Sequence, residues 1–177
     1  MNRGIRVIFL WNLLKLIIMD LYNNLLSLSR NLFFYQKISL ADTFETRIYL
    51  MFLHFSIFLR IYKKKEVKFN QKSYDLLFKN IENNLRELGF GDVSVNKKMK
   101  ELNKVFYDIL LKFVKPSLNK ESFFILEHKL ISKYFSELKD PKSSSYLEFE
   151  TYFSNFYDFC FELPLEYMVR DAVNFRN

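Results

Sequence analysis

The stretch "LRELGFGDVSVNKKMKEL", residues 85–102, joins two apolar runs and holds two of the chain's three glycines, Gly89 and Gly91. Upstream, Tyr74, Leu77, Phe78, Ile81, Leu85 and Leu88 recur at helical offsets, and alternation of period two does not fit them. Downstream, Val95, Met99, Leu102, Phe106, Ile109 and Phe113 line a second helical face, which Pro116 closes. Between the runs, Gly89 takes the place of a left-handed residue just past a helix end. Gly91 permits a sharp reversal, and Asp92 or Ser94 caps the helix that follows. A glycine-rich phosphate loop fails on context, because no strand precedes, a third glycine is missing and no Lys-Ser/Thr pair follows. The stretch reads as a structural turn between two helices.

Working outward, "DTFE" sets Asp42 as an N-cap with Glu45 three residues on. The run from Phe44 to Tyr62 is apolar nearly all round, which predicts a central buried helix. Phe123 to Leu138 and Leu147 to Phe161 predict two more helices, separated by "KDPKSSS". No run alternates and no repeat period appears, so the expectation is an all-α fold of about six or seven helices. At 177 residues the chain is most simply one domain, able to bury roughly 70% of its unfolded surface.

Residues 1–20 stand apart from this domain, which is expected to span 21–177. The segment "IRVIFLWNLLKLIIM" from Ile5 to Met19 is the most hydrophobic. As a helix it would be about 22 Å long, short of the ~30 Å hydrocarbon core, and Arg6, Asn12 and Lys15 interrupt it. It has the basic start of a secretory signal, but "DLYNN" follows where small cleavage-site residues belong. A helix lying on a membrane or packed on the core is expected, with translation from Met19 as the competing reading.

Charge is uneven. Residues 1–142 carry 25 Lys and Arg against 14 Asp and Glu, a balance of +11; residues 143–177 carry two against six, a balance of −4. The larger part therefore suits an anionic partner, either nucleic acid or an anionic membrane surface, although a solvated surface gives the same pattern. Lys63, Lys64, Lys65, Lys68 and Lys72 form one cluster, and Lys97, Lys100 and Lys104 form a row on the polar side of the helix after the turn. No signature of sequence-specific nucleic-acid recognition is present. Aromatic richness is weaker evidence: with Phe abundant and Ala present only at Ala41 and Ala172, the composition is what AT-rich coding imposes.

Chemistry finds little purchase. The single cysteine, Cys160, precludes an internal disulfide and sits among aromatics as a small hydrophobe. His54 and His128 fall on different helices without ligand-spaced partners, and the carboxylates occur singly, so no metal, cofactor or active site is expected. His54 follows Arg47 by seven residues and reads as a hydrogen-bonded core histidine.

Two motif blocks carry a family resemblance. The first is Leu21, Tyr22, Ser29, Arg30, Phe34, Tyr35, Asp42, Thr43, Arg47 and His54. The second is Leu85, Arg86, Glu87, Gly89, Gly91, Asp92, Val95, Lys98, Met99, Phe106 and Tyr107. In order and spacing they resemble the ubiquinol–cytochrome c chaperone family, assembly factors of the cytochrome bc complex (respiratory complex III). The resemblance is strongest over 21–113; beyond that only "FCFELP" is similar to the family's closing segment. It implies a non-catalytic all-α protein that holds newly made cytochrome b. A small helper assembly factor, the ribosomal exit region or an anionic membrane surface are the implied further partners. Arg47, His54, Arg86, Glu87, Asp92, Lys98 and Tyr107 become partner-binding candidates as motif members. Lys63, Lys64, Lys65, Lys68, Lys97, Lys100 and Lys104 supply the basic surface. The expected place is the cytoplasmic face of a bacterial inner membrane, or the matrix side in a mitochondrion. The competing function is a peripheral membrane protein that binds anionic lipid through its basic helices.

Overall fold

The computed structural model of the protein describes residues 21–113 and 126–176. The hydrophobic segment 5–19, the stop at Pro116 and residues 123–125 of the expected fifth helix lie outside them. Residues 21–29 are helical (α1) and lead into a π-helical turn, Phe33–Lys37. Then come α2 (Phe44–Lys64), α3 (Gln71–Glu87), α4 (Asp92–Lys112), α5 (His128–Tyr134), α6 (Ser144–Glu162) and α7 (Leu165–Asp171). Short 3-10 turns follow α5 and α7, at Ser136–Leu138 and Ala172–Asn174. The domain is all-α, with no β-strand among the described residues. The fifth helix is shorter than its sequence suggested: regular helix stops at Tyr134, where Phe135 turns to φ −126° and ψ 99°.

Helix α2 is the axis of the fold because it is apolar on nearly every side, from Ile48 and Leu50 through Ile61. It packs against α4, α6 and α7, while α3 packs on α4. Ring contacts fix the directions. Phe106 of α4 meets Phe52 and Phe55 at 5.2 and 5.6 Å, and Lys98 reaches back to Glu45, so α2 and α4 run parallel. Helix α3 returns between them, with Phe78 beside Phe52 and Tyr74 beside Phe55. Helix α6 also runs with α2: His54 meets Tyr152, Phe58 meets Phe156, and Lys65 reaches Phe161. Phe serves where smaller residues would fill other cores, and truncating one such buried ring typically costs about 3–5 kcal/mol. Cys160 is buried in α6, where burial pushes its thiol pKa up.

Two expected caps are corrected. Thr43, not Asp42, is the N-cap of α2: its backbone is extended and its hydroxyl accepts from the Thr46 N–H at 3.1 Å. The Asp42 carboxylate is taken instead by Arg47, in a bidentate pair at 2.7 and 2.8 Å. Helix α4 begins at Asp92 with Gly91 in the N-cap position and no side-chain cap, so neither Asp92 nor Ser94 caps it.

Gly89 does stop α3, at φ +88°. Its N–H bonds Arg86 O, and the Phe90 N–H bonds Leu85 O, which closes the carbonyls of the last turn. Helix α2 ends in the same way: Glu66 N–H bonds Lys63 O and Val67 N–H bonds Tyr62 O. There the left-handed position is filled by Glu66, at φ 56°.

Candidate functional site

The α3–α4 turn gathers most of the second motif block at one end of the hairpin. Arg86 sits at its centre, donating to Asp92 across the turn and to Glu82 one helical turn back at 2.8 Å. Arg86 and Lys79 together hold the Glu82 carboxyl below its ordinary value, and Glu82 with Asp92 raises Arg86 above its own. The ion pairs brace the turn, while Glu87 beside them is exposed. Gly91, at φ −70°, does not need glycine's left-handed freedom.

Around this braced turn three apolar side chains face solvent: Leu88, Phe90 and Val93 at 58%, 42% and 85% exposure. Leu88 has the right spacing for the core face of α3. It lies outside because it is the C-cap residue, past the point where the helix can direct it against α4.

Val93 also begins a row along the outer face of α4. Val93, Lys97, Lys100, Lys104, Tyr107 and Leu111 fall at helical spacing, and all are exposed. The three lysines make no ion pair among the described residues. The row thus runs from an apolar end through three cations to an aromatic and an apolar residue, with Leu111 at 75% exposure. Tyr107 is half exposed, and its hydroxyl accepts a long 3.4 Å bond from Tyr74. The sequence signal for this row was the lysine spacing; Val93 and Leu111 were missed because each looked like ordinary helix filling.

The remaining candidates are placed elsewhere. Lys98 is partly buried and bonds Glu45 at 2.8 Å, tying α4 to the first turn of α2. Arg47 faces Asp42 and the Tyr35 hydroxyl at the start of α2. His54 is fully buried, with Nδ1 bonded to Leu50 O and Nε2 to the Tyr152 hydroxyl. This corrects its inclusion among partner contacts, since a side chain without exposed surface offers nothing to a partner. Part of the first motif block is likewise internal: Leu21, Ser29 and Phe34 are buried, and Tyr35 donates to Ser29 O at 2.6 Å, whereas Arg30, Asp42 and Thr43 are exposed.

The two basic clusters do not merge. Lys63 and Lys64 lie level with Leu110 and Leu111 of α4, about 10–20 Å along the axis from Lys104 and Lys97. Lys65 is structural, donating to Phe161 O at 2.7 Å and Leu163 O at 3.3 Å, where it closes the C-terminal end of α6. Lys68 is exposed in the connection to α3.

A second polar node escaped the sequence reading. Asp108 accepts from Lys112 and Lys133 at 2.5 Å each and from the Tyr134 hydroxyl at 2.7 Å, joining α4 to α5. These donors hold its carboxyl far below the ordinary range. Among the described residues no group of three or more His, Cys, Asp or Glu could hold a metal, and no helix is long and apolar enough to cross a membrane.

Compared with known proteins, the family model described as Ubiquinol-cytochrome C chaperone matches residues 36–144. That range begins after the first motif positions and continues past α4 to the start of α6. No curated protein and no solved structure matches.

Proposed function

Because this chain belongs to the ubiquinol–cytochrome c chaperone family, we propose that it holds newly made cytochrome b, without catalysing a reaction, while the cytochrome bc complex is assembled. The family itself carries the coarser role of a complex III assembly chaperone. The observation that supports the finer one is the exposed row on α4 together with the Leu88–Phe90 turn. A client rich in membrane segments presents apolar helices, and those of bioenergetic membranes are flanked by polar ends. The apolar ends of the row and the Leu88–Phe90 turn can lie against such a segment, while the long lysine stems between them keep their ammonium groups in water or at its polar ends. The row lies on one helix, so its two ends keep a fixed spacing, and the short α3–α4 connection holds Leu88 and Phe90 beside its Val93 end.

The lysines of the row also suit a polyanion near the place of synthesis, the ribosomal exit region. Work at the membrane face where cytochrome b is inserted follows from the client, and a small helper factor could occupy the opposite side of the domain.

The experiment is a photo-crosslinker at Val93 or Tyr107 during synthesis of cytochrome b, beside the b-type haem spectrum of membranes from cells lacking the protein. The reading expects crosslinks to cytochrome b at both positions and selective loss of the bc-complex haem with oxidase haem retained. A normal spectrum together with no crosslink would overturn it.

A further inference from the structure

The C-terminal end of α2 carries a second feature that the chaperone reading does not use. A hollow of about 660 Å³ opens where α2, α4 and α6 meet, lined by Leu59, Arg60, Lys63, Lys64, Leu110, Leu111 and Tyr157. Arg60, Lys63 and Lys64 stand at i, i+3 and i+4 on one face of α2, where like charges repel. No carboxylate lines the hollow among the described residues. The Lys64 ammonium lies 3.4 Å from the Tyr157 hydroxyl and 4.8 Å from the centre of the Phe161 ring. Lys63 and Lys64 gain something from the negative end of the α2 dipole. Arg60, a turn earlier, is partly buried and has no ion-pair partner among the described residues. Its withdrawal from water lowers its pKa. A half-desolvated guanidinium without a counter-charge is an unbalanced arrangement for a free surface.

The floor is apolar. Leu59 and Leu110 form it, and Leu111 projects at its rim into solvent. Three cations over an apolar floor match an amphiphilic anion better than a bare one, because a phosphate alone would leave the leucines wet.

We propose that this hollow is a membrane-docking site that takes the phosphodiester headgroup of an anionic phospholipid. Arg60 and Lys63 hold the phosphate oxygens, and Leu110 and Leu111 lie against the glycerol and upper acyl carbons. The site is separate from the outer row of α4 except at Leu111, so its failure leaves the client reading intact.

The test uses the full chain with vesicles of phosphatidylcholine alone and of phosphatidylcholine mixed with phosphatidylglycerol. The anionic lipid should increase co-sedimentation, and that increment should fall about tenfold in the Arg60→Gln, Lys63→Gln pair. The Lys97→Gln, Lys100→Gln pair removes the same charge elsewhere and should keep most of it. Amine acetylation reports place independently: anionic vesicles should protect Lys63 and leave Lys97 reactive. Equal loss in both pairs, or equal protection of both lysines, would mean diffuse electrostatics and sink the proposal. So would binding that ignores phosphatidylglycerol. Inorganic phosphate that raises the melting temperature of the wild type but not of the Arg60→Gln, Lys63→Gln pair, with no anionic-vesicle increment, would assign a free anion and overturn the lipid.

Discussion

His54 and Tyr152 meet in the middle of the core, 3.1 Å apart from ring Nε2 to hydroxyl, joining α2 to α6 across 98 positions of sequence. Nδ1 lies 2.7 Å from the Leu50 carbonyl, which can only accept, so Nδ1 carries the proton and Nε2 accepts from Tyr152. Phe34, Phe153 and Phe156 close the ring in, at centroid distances from 4.8 to 5.9 Å. The histidine is a neutral polar pin inside an aromatic cluster.

That placement gives a pH dependence with a definite sign. Burial lowers the His54 pKa from 6.5 to about 4, so between these values the unfolded chain binds more protons than the folded one. Stability should therefore fall as pH drops from about 6.5 towards 4 and level off below, a loss of about 2 kcal/mol by pH ~5. Urea unfolding at neutral pH and near pH 5 measures it. His54→Gln should be less stable overall but flatter over this range; an unchanged slope would assign the titration to another group.

The start of α2 offers a separation between two neighbouring residues. Thr43→Ala removes the side chain that accepts from Thr46 N–H and should cost about 1 kcal/mol. Asp42→Ala removes only an exposed pair with Arg47 and should leave the melting temperature nearly unchanged. Thermal unfolding of the two variants side by side decides which residue caps the helix. If Asp42→Ala proved the costlier, the assignment of Thr43 would be wrong.

These two residues also mark where the sequence stops being legible. The helices were readable because burial repeats at helical spacing: Leu77, Ile81 and Leu85 in α3, and Val95, Leu102, Phe106 and Ile109 in α4 are all buried. The cap was not, because Asp42 and Thr43 are both cap-forming types and the choice is made by Arg47 reaching back for the aspartate. Asp92 repeats the case, since Arg86 takes a carboxylate that looked free to cap α4. Lys65 belonged to a charge run in sequence, yet its partners lie 96 and 98 residues away, a distance no local pattern reports. For the candidate site, the lysine spacing on α4 was visible. The exposure of Leu88 and Val93 was not, because an apolar residue at a helix end looks the same whether or not another helix covers it.

The paired helix ends allow a test with opposite signs. Gly89 stands at φ +88° with open space where a Cβ would be, so Gly89→Ala should cost about 1 kcal/mol through backbone strain alone. Glu66 holds the equivalent place after α2 at φ 56°, and Glu66→Gly should gain a similar amount, about 1 kcal/mol. Gly91→Ser supplies the missing cap of α4 and should add a few tenths of a kcal/mol. Chemical denaturation of the three variants gives three signs. Stabilisation by Gly89→Ala would contradict the left-handed conformation of the turn.

The outer row of α4 makes the functional prediction. Lys97, Lys100 and Lys104 hold no structural bond among the described residues, so replacing all three by Gln should leave the melting temperature nearly unchanged. If the row meets ribosomal RNA while the client emerges, the triple variant should lose co-sedimentation with translating ribosomes. The salt slope of log K should also become shallower by about 2–3, the counterions that three phosphate contacts release. Leu88→Ser with Phe90→Ser tests the other component: it should leave that slope alone and weaken retention of cytochrome b, because apolar cover is insensitive to screening. Loss of ribosome binding with client retention intact would divide the row into a docking part and a holding part. Loss of neither in a folded protein would remove this face from the mechanism and turn attention to the start of α2, where Arg47 pairs with the exposed Asp42 beside Tyr35.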